Sequence, residues 1–407
     1  MSSLLVIGAS LAGLTATETL RNGGYDGQLI VVDPSPQLPP DRPPLSKQVL
    51  SGEWDADRAI HRSAARLPEL DVDLRLGVAA TALAAAPADA HTRAVALSDG
   101  SSVDAAGIVV ATGAAPRHLR NEPSHGVHVL RTMDDCLALR ADLEAEPDRV
   151  VVIGAGFIGA EVAATCRGRG LQVTMIEAAP APLGRVLPGE LGAFIADLHR
   201  EHGVDVRLGV GVDALEADGA GRVRSVRMAD GTVIEASVVV VGIGVAPSVD
   251  WLTGSGLTLD DGVRCDESCL AAPRIVAAGD VASWPNPRFG EVMRVEQWEN
   301  AIEQGEHAGR RLLAELDLGE HPGAFAPVPW FWSDQYDRKI QMAGRPSGSD
   351  EVVIVEGSIE ERRFVALFRR GDRCTAVFGV NRPRHVMQAR MKMVESLDWV
   401  PVAGLFG

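Results

Sequence analysis

The sequence predicts an α/β fold that contains two similar β–α–β units and a C-terminal α+β segment. Two observations support it. The runs VIGASLAG at 6–13 and VVIGAGFIG at 151–159 each carry a short apolar stretch into a glycine turn. An alanine-rich stretch that fits a helix follows each turn, and the first glycines of the two turns lie 146 residues apart. A strand, a glycine turn and a helix in this order are typical of Rossmann-like nucleotide-binding units.

The first unit has every expected part in order. The strand Leu4–Ile7 enters the turn, and the helix that follows is expected to end at 22–24, where the chain reads Asn-Gly-Gly. Ser10 replaces the middle glycine of the motif and is small enough for a phosphate to approach the backbone. Asp33 lies 20 residues after Gly13 and closes the apolar run LIVVD. The unit therefore predicts a pyrophosphate at the N-terminus of the helix and a ribose hydroxyl on the carboxylate.

The second unit repeats this order and keeps all three glycines. The turn carries Gly154, Gly156 and Gly159, and Glu177 closes the apolar run VTMIE 18 residues after the third glycine. A single glycine motif is weak evidence, because a glycine turn between a strand and a helix is common. Two complete units, each with its acid, predict two bound nucleotides.

The rest of the chain is expected to alternate between strands, loops and helices. The segment IVVATG at 108–113 matches VVVVGIG at 238–244, which suggests an internal duplication. Further predicted elements are a proline-rich loop at 34–46, strands at 71–76, 94–97 and 204–208, a helix at 190–202, a strand near 275, a helix at 297–316, a linker at 321–329, strands at 351–356, 364–368 and 376–380, and a final helix at 384–397.

Composition and charge limit the class of protein. The chain has 407 residues, of which 46% are apolar and 4% aromatic, as in globular proteins. The apolar start lacks a basic leader, and no run of about 18 apolar residues occurs, so we expect a cytoplasmic protein without a signal peptide or membrane helix. The net charge of −16 argues against nonspecific binding to nucleic acid.

Positive charge is concentrated near the C-terminus. The segment 362–392 carries nine cations and one anion, a net charge of +8, so the remainder of the chain carries −24. Such a segment is expected either to bind an acidic macromolecule or to be a solvated face, and the charge alone leaves both interpretations open.

The five cysteines argue against dithiol chemistry. Cys265 and Cys269 are close in sequence, but they lie far from the first helix, and residues 35–60 contain no cysteine. A redox disulfide is disfavoured for this reason, and a zinc site is disfavoured because histidines at ligand spacing are absent. We therefore expect no metal.

The motifs, taken in chain order, resemble those of oxygenase-coupled, NADH-dependent ferredoxin reductases over essentially the whole chain. They are VIGASLAG, DRPPLSK at 41–47, ATGAAPR at 111–117, VVIGAGFIGAE, VAAGDVA at 276–282, EQWENAIEQG at 296–305, PWFWSDQY at 329–336 and NRPR at 381–384. The resemblance implies an FAD domain formed by 1–112 and 245–320, an inserted NADH domain at 113–244 and a C-terminal α+β domain at 321–407.

The resemblance also implies a role for particular residues toward FAD. Lys47 would lie beside the flavin ring and Trp298 at the start of a helix aimed at it; the alternative for Lys47 is a charge on a helix face. The expected FAD-binding residues are Gly8, Ser10, Gly13, Asp33, Arg42, Lys47, Thr112, Gly113, Asp280 and Trp298. Many relatives carry tyrosine directly before the DRPPLSK motif, where this chain has Pro40.

For NADH, the resemblance implies binding by Gly154, Gly156, Gly159 and Glu177. A carboxylate at 177 repels a 2′-phosphate, so NADH is expected over NADPH. Lys47, Glu161 and Trp332 are the expected catalytic residues. Glu161 would reach the nicotinamide and pair with Lys47, or else be an ordinary acid of the first helical turn. Trp332 would lie between flavin and ferredoxin, or else be part of an interdomain core.

The implied activity is hydride transfer from NADH to FAD, followed by two one-electron transfers to an acidic 2Fe–2S ferredoxin that serves a cytochrome P450 or a Rieske oxygenase. The alternatives are an NADH oxidase, a quinone or rubredoxin reductase on the same scaffold, or an NADH-sensing flavoprotein related to the apoptosis-inducing factor. The absence of a targeting leader and of long insertions disfavours the last alternative.

Overall fold

The structure is a computed structural model that describes residues 3–61, 66–85, 91–184 and 186–406. Within these ranges, no helix combines the length and the apolar character needed to cross a membrane. Helices and strands are mixed along the chain, and the predicted α/β class is confirmed.

The helices of the described residues are α1 Leu11–Asn22, α2 Gln48–Ser51, α3 Met133–Glu144, α4 Phe157–Gly168, α5 Gly189–Glu201, α6 Trp298–Glu315, α7 Pro383–Glu395 and α8 Trp399–Ala403. Short 3-10 helices occur at Pro43–Ser46, Ala56–Ala59, Leu67–Leu70, Asp250–Leu252 and Gly279–Val281.

The strands are β1 Ser3–Ile7, β2 Leu29–Asp33, β3 Asp73–Leu76, β4 Ala80–Leu83, β5 Arg93–Leu97, β6 Ser102–Val110, β7 Ala114–Pro116, β8 Val127–His128, β9 Val150–Ile153, β10 Val173–Glu177, β11 Asp205–Leu208, β12 Val212–Ala217, β13 Val223–Met228, β14 Val233–Glu235, β15 Val238–Val241, β16 Val245–Pro247, β17 Val263–Arg264, β18 Leu270–Ala272, β19 Ile275–Ala277, β20 Ala282–Asn286, β21 Glu291–Met293, β22 Trp330–Gln335, β23 Arg338–Gly344, β24 Glu351–Ser358, β25 Arg363–Arg370 and β26 Arg373–Val380.

The chain forms two compact units, and each is discontinuous in sequence. The first contains Met1–Asp41, Ile60–Ala115 and Ala246–Pro329, and the second contains Arg42–Ala59, Pro116–Val245 and Trp330–Gly407. The division into three domains stays a prediction.

The main sheet of the first unit has the strand order β18-β19-β6-β1-β2-β3, with β5 attached to β6 and β4 attached to β5. Strands β19, β6, β1, β2 and β3 run parallel. In β19, β6, β1 and β2 the central residues are buried and mostly apolar, as expected for a parallel sheet covered on both faces, whereas the edge strand β3 is only half-buried. Strand β19 pairs with Ile108–Val110 of β6, so the sheet joins segments that precede and follow the second glycine turn in the sequence.

Helices α1 and α6 cross closely in the first unit because α6 presents glycine at the crossing. A Cβ atom added to Gly305 would lie 2.5 Å from the backbone oxygen of Ala12. One added to Gly309 would lie 2.9 Å from the Thr19 side chain. The two glycines are four residues apart and share a face, so the backbones approach more closely than side chains would allow.

The second unit contains a parallel sheet in the order β11-β10-β9-β15-β8 and two antiparallel sheets, β12-β13-β14 and β22-β23-β26-β25-β24. Helix α7 packs on β23 and β26. A hairpin turn at Gly371 and Asp372 joins β25 to β26.

The internal duplication is visible in the geometry of the two parallel sheets. The amide of Ala111 donates to Ile7 at 2.8 Å, and the amide of Gly242 donates to Ile153 at 2.7 Å. Two residues further on, Gly113 and Gly244 both have a positive φ, +66° and +97°. The segments 108–113 and 239–244 therefore lie in equivalent positions beside β1 and β9, the strands that lead into the two glycine turns.

Candidate functional site

The first glycine turn is closed by contacts that exclude any side chain. Gly8 has a φ of +106°, and an added Cβ would lie 2.3 Å from the backbone oxygen of Ala111. A Cβ on Gly13 would lie 1.8 Å from the oxygen of Gly8, so α1 packs directly on the turn. Ser10 is the N-cap of α1, but its side chain makes no capping hydrogen bond. The first amides of α1 are thereby left to bind an anion.

Asp33 ends β2 and holds this turn in place. Its Oδ2 accepts a hydrogen bond from the amide of Ala9 at 2.7 Å, and its Oδ1 accepts one from the amide of Ser35 at 2.8 Å. Each carboxylate oxygen can accept a second bond. The predicted ribose acceptor is therefore fixed beside the turn with acceptor capacity to spare.

The structure places three more predicted residues in the first unit. Thr112 donates to the backbone oxygen of Ser248 at 2.9 Å, and Gly113 accepts from the amide of the same residue at 3.0 Å. Asp280 lies in the short helix after β19, where Gly279 has a φ of +77° and its amide donates to Gln304 at 2.9 Å.

Helix α6 begins at Trp298, close to the predicted position. The indole Nε1 donates to Asp41 at 2.7 Å across 257 residues of sequence. Two buried oxygens near this helix end, Oε1 of Gln297 and Oδ1 of Asn300, have no hydrogen-bond partner in the described residues. Unsatisfied buried polar atoms beside a helix N-terminus are suited to a polar ligand.

The second glycine turn repeats the geometry of the first. Gly154 has a φ of +101°, and a Cβ added there would lie 2.3 Å from the oxygen of Gly242. A Cβ on Gly159 would lie 2.2 Å from the oxygen of Gly154, whereas one on Gly156 would meet nothing closer than 4.0 Å. The space in front of Gly156 is thus open, and Ser10 holds the equivalent place in the first unit.

Glu177 matches Asp33 in both of its hydrogen bonds. Its Oε2 accepts from the amide of Ala155 at 2.9 Å, and its Oε1 accepts from the amide of Ala179 at 2.8 Å. The two acids therefore make the same pair of hydrogen bonds beside their turns.

Glu161 and Lys47 form a buried ion pair in the second unit. The carboxylate Oε2 lies 3.0 Å from Nζ of Lys47, and the two side chains are 4% and 13% exposed. Ser46 donates to the same oxygen, and Ser333 donates to Oε1 at 2.8 Å. The predicted pairing of Lys47 with Glu161 is present, and the alternative of a charge on a helix face does not hold for Lys47.

The sequence reasoning missed Ser46, Ser333 and the residues beyond them. Gln335 donates to Ser333 at 3.1 Å, and His199 bonds to Gln335 at 3.2 Å. Ser333 and Gln335 are two apart in β22, so the alternation of side chains along a strand places them on one face. No sequence signal marks His199, because its partners lie 136 and 137 residues away.

Trp332 lies on the other face of β22 and is half-buried. Its ring stacks on Trp330, with centroids 5.3 Å apart. Arg390 of the basic segment lies over the Trp330 ring at 5.9 Å.

Arg42 belongs to the second unit and precedes the short helix Pro43–Ser46.

The five cysteines are free and buried. Burial raises the pKa of Cys265 to about 12 and places that of Cys269 well above its ordinary value. Thiols in this state are poor nucleophiles, because the thiolate is the reactive form.

The basic segment is not a single surface. Arg363 and the turn after β26 lie at one end of the C-terminal sheet, whereas the Gly371 hairpin lies at the other. Several of its cations are paired with acids: Arg362 with Glu201, Arg369 with Asp372, Arg370 with Asp350, Arg382 with Glu356 and Lys392 with Glu395. Among the exposed cations are Arg363 and Arg384.

The residues present fit two nucleotides. Each turn excludes a Cβ at the glycines that contact backbone, each leads into the N-terminus of a 12-residue helix, and each carries an acid positioned by two amides. FAD and NADH both contain the pyrophosphate and adenosine ribose that such a turn accommodates.

Comparison with known proteins agrees with this geometry. The family model described as pyridine nucleotide-disulphide oxidoreductase matches residues 2–305, and the model described as reductase C-terminal matches residues 330–401. The chain is 37% identical to rhodocoxin reductase of Rhodococcus erythropolis, covering 98% of this chain and 91% of the relative. It is also 37% identical to the ferredoxin–NAD(+) reductase component of the anthranilate 1,2-dioxygenase system of Burkholderia cepacia, covering 95% and 92%.

Among solved structures, the covalent putidaredoxin reductase–putidaredoxin complex matches with a TM-score of 0.88 at 33% identity, covering 97% of this chain and 93% of that one. Identity at this level over nearly the full length, together with both family models, shows common descent. The chain belongs to the pyridine nucleotide-disulphide oxidoreductases, in the group of ferredoxin reductases that serve oxygenases.

Proposed function

We propose that the protein is an FAD-dependent NADH:ferredoxin oxidoreductase that supplies electrons to a cytochrome P450 or a Rieske oxygenase. The observation that carries the proposal is the pair of matching nucleotide turns, each with its own acid, in a chain related over 98% of its length to rhodocoxin reductase. When bound, FAD accepts a hydride from NADH and releases the electrons singly to a 2Fe–2S ferredoxin.

We propose that the first turn binds FAD. Gly8, Ser10 and Gly13 would hold the pyrophosphate, and Asp33 would accept a hydrogen bond from the ribose. The residues proposed for the remainder of the cofactor are Arg42, Lys47, Thr112, Gly113, Asp280 and Trp298. The unsatisfied oxygens of Gln297 and Asn300 support a polar ligand at the start of α6.

The second turn is proposed to bind NADH through Gly154, Gly156 and Gly159. Glu177 has spare acceptor capacity for a 2′-hydroxyl, and its charge disfavours a 2′-phosphate. The preference for NADH over NADPH rests on this carboxylate.

Lys47, Glu161 and Trp332 are proposed to serve electron transfer. The buried pair fixes a cation and an anion whose fields are weakly screened, so they can orient a nicotinamide and compensate charge on reduced flavin. Trp332 is proposed to lie between flavin and ferredoxin, and its half-buried position is compatible with contact to a partner.

The test is an anaerobic titration of the purified holoprotein with NADH, followed by steady-state assays with a 2Fe–2S ferredoxin, oxygen and a quinone. Bleaching of the flavin near one equivalent, with ferredoxin the fastest acceptor, is the expected result. Faster turnover with oxygen or quinone would favour an oxidase or quinone reductase, and a flavin that NADH barely bleaches would favour a sensing role. The cytoplasmic location stays a prediction, for which cell fractionation is the test.

A further inference from the structure

A line of hydrogen bonds extends from the Glu161 carboxylate into the interior of the second unit. Ser333 bonds to Glu161 at 2.8 Å, Gln335 to Ser333 at 3.1 Å, and His199 to Gln335 at 3.2 Å. Tyr336 completes the line with a bond of 2.9 Å to Nδ1 of the histidine. The line joins three separate elements, α4, β22 and α5, together with the residue that follows β22.

The line is buried almost throughout. Ser333, Gln335 and His199 are 0% exposed and Glu161 is 4% exposed. Buried polar groups without partners are costly, and in this line each group bonds to the next. Such a network is expected to have a single arrangement of donors and acceptors.

That arrangement follows from which atoms can donate. The Glu161 carboxylate, which pairs with Lys47, only accepts, so the Ser333 hydroxyl donates to it and must accept from the amide nitrogen of Gln335. The amide oxygen of Gln335 then faces Nε2 of His199, which must carry a proton. Nδ1 is left as an acceptor for the Tyr336 hydroxyl. Every donor in the line therefore points toward Glu161.

We propose that Ser333, Gln335 and His199 are positioning residues that hold the Glu161 carboxylate toward Lys47 through this one-directional line of hydrogen bonds. The proposal rests on the proposed function, since it assigns these residues to the step in which NADH reduces the flavin. Ser333 occupies Oε1, which turns Oε2 toward Nζ of Lys47 at 3.0 Å. Hydrogen bonds that point in the same direction polarise one another, so the donors of the line together strengthen the bond from Ser333 to the carboxylate.

The first experiment measures the tautomer of His199 in the wild-type holoprotein by ¹⁵N NMR of labelled histidine. The signal is assigned by its absence in His199→Asn. The expected result is a proton on Nε2 and none on Nδ1. A protonated Nδ1 with a bare Nε2 would overturn the proposal, because the line could not then point toward Glu161. This experiment needs no variant to remain active, so it stands even if the proposed function fails.

The second experiment measures flavin reduction by NADH in a stopped-flow instrument. Ser333→Ala removes one donor from Glu161, and Ser225→Ala is the matched control. Ser225 is also buried in the second unit and donates to a carboxylate, that of Glu216, at 2.9 Å. We expect Ser333→Ala to slow reduction about tenfold, the effect of one hydrogen bond to a charged group, and the control to change it less than twofold.

A double-mutant cycle separates positioning from a general loss of structure. In a Glu161→Gln background the carboxylate is absent, so Ser333→Ala is expected to add less than a twofold change. Equal effects in both backgrounds, or equal effects of Ser333→Ala and Ser225→Ala, would refute the proposal. A wild-type protein that NADH does not reduce would instead refute the proposed function.

Discussion

At the scale of single residues, the two acids beside the glycine turns make the same hydrogen bonds but are proposed to bind different nucleotides. Glu177→Ala removes the acceptor for a 2′-hydroxyl and the charge that repels a 2′-phosphate. We expect the ratio of kcat/KM for NADH over NADPH to fall about 10- to 100-fold, the effect of one charged hydrogen bond. Steady-state assays with both nucleotides measure the ratio.

Asp33→Ala is the matched control for this change, because Asp33 makes the same two contacts in the first unit. This variant is expected to lose FAD and to leave the nucleotide ratio of the remaining holoprotein unchanged. An unchanged ratio in Glu177→Ala would assign nucleotide selection to another residue.

His199 predicts a loss of stability in acid. Burial is the main cause that lowers its pKa to about 4, from an ordinary 6.5. Between these values the unfolded chain binds the proton and the folded chain does not, so stability is full above about pH 7 and falls as the pH drops toward 4. The expected contribution at pH 5 is a loss of about 2 kcal/mol.

Urea unfolding at pH 7 and pH 5 checks this contribution. His199→Asn cannot titrate, so its free energy of unfolding should fall between the two pH values by about 2 kcal/mol less than that of the wild type. The same change at His118, whose side chain is 57% exposed, is the control. Parallel losses in the wild type and His199→Asn would contradict the assignment.

Sequence reasoning succeeds at residues whose role is local. Gly8 and Gly154 were predictable because a strand, a turn and a helix follow one another directly along the chain. Asp41 shows the limit, since it lies in a recognised motif but its partner Trp298 is 257 residues away. His199 shows it more strongly, because a buried histidine on an amphipathic helix has no pattern of its own.

At the scale of elements, the crossing of α1 and α6 depends on a bare backbone. Gly305→Ala places a Cβ 2.5 Å from the oxygen of Ala12, and backbone cannot move aside cheaply. We expect a loss of about 1–3 kcal/mol and weaker retention of FAD, because α1 carries the first turn. Thermal unfolding and the flavin content of the purified protein are the measurements.

Gly168→Ala is the control, because Gly168 is the last residue of helix α4 and a Cβ there meets nothing within 4 Å. It is expected to be neutral or to stabilise slightly. If both alanine variants behaved alike, the close crossing would not be the cause.

The order of elements was predictable, and their pairing was only partly so. Helix α6 was expected at 297–316 and is observed at Trp298–Glu315, because its amphipathic pattern marks it. The strand expected at 71–76 begins at Asp73 because Asp71 has a φ of +49°, which ends the preceding turn. The close crossing of α1 and α6 was not predicted, since glycines inside a helix do not indicate which other element packs against them.

At the scale of the whole molecule, the structure changes how docking of an acidic partner should be tested. Reversing the charge of Arg370 would leave the buried Asp350 without its cationic partner and place a second negative charge beside it, which would disturb the fold. Arg363→Glu and Arg384→Glu alter exposed cations instead. We expect the double variant to raise the KM for ferredoxin about tenfold at low salt while the reduction of a small dye by NADH is unchanged.

Salt dependence is the second measurement for this variant. Added salt should reduce the difference in ferredoxin KM between the double variant and the wild type, because salt screens charges on the surface. A ferredoxin KM equal to that of the wild type would place docking on a different surface.

The discontinuous sheet of the first unit also matters while the chain is being made. Residues 108–110 of β6 cannot pair with β19 until the ribosome has added Ile275–Ala277, which begins 165 residues after Val110. At ordinary rates of translation this wait lasts roughly 10 to 30 s. An arrested nascent chain that ends before residue 275 is therefore expected to expose an unpaired apolar strand edge, a template for aggregation that a chaperone would have to cover.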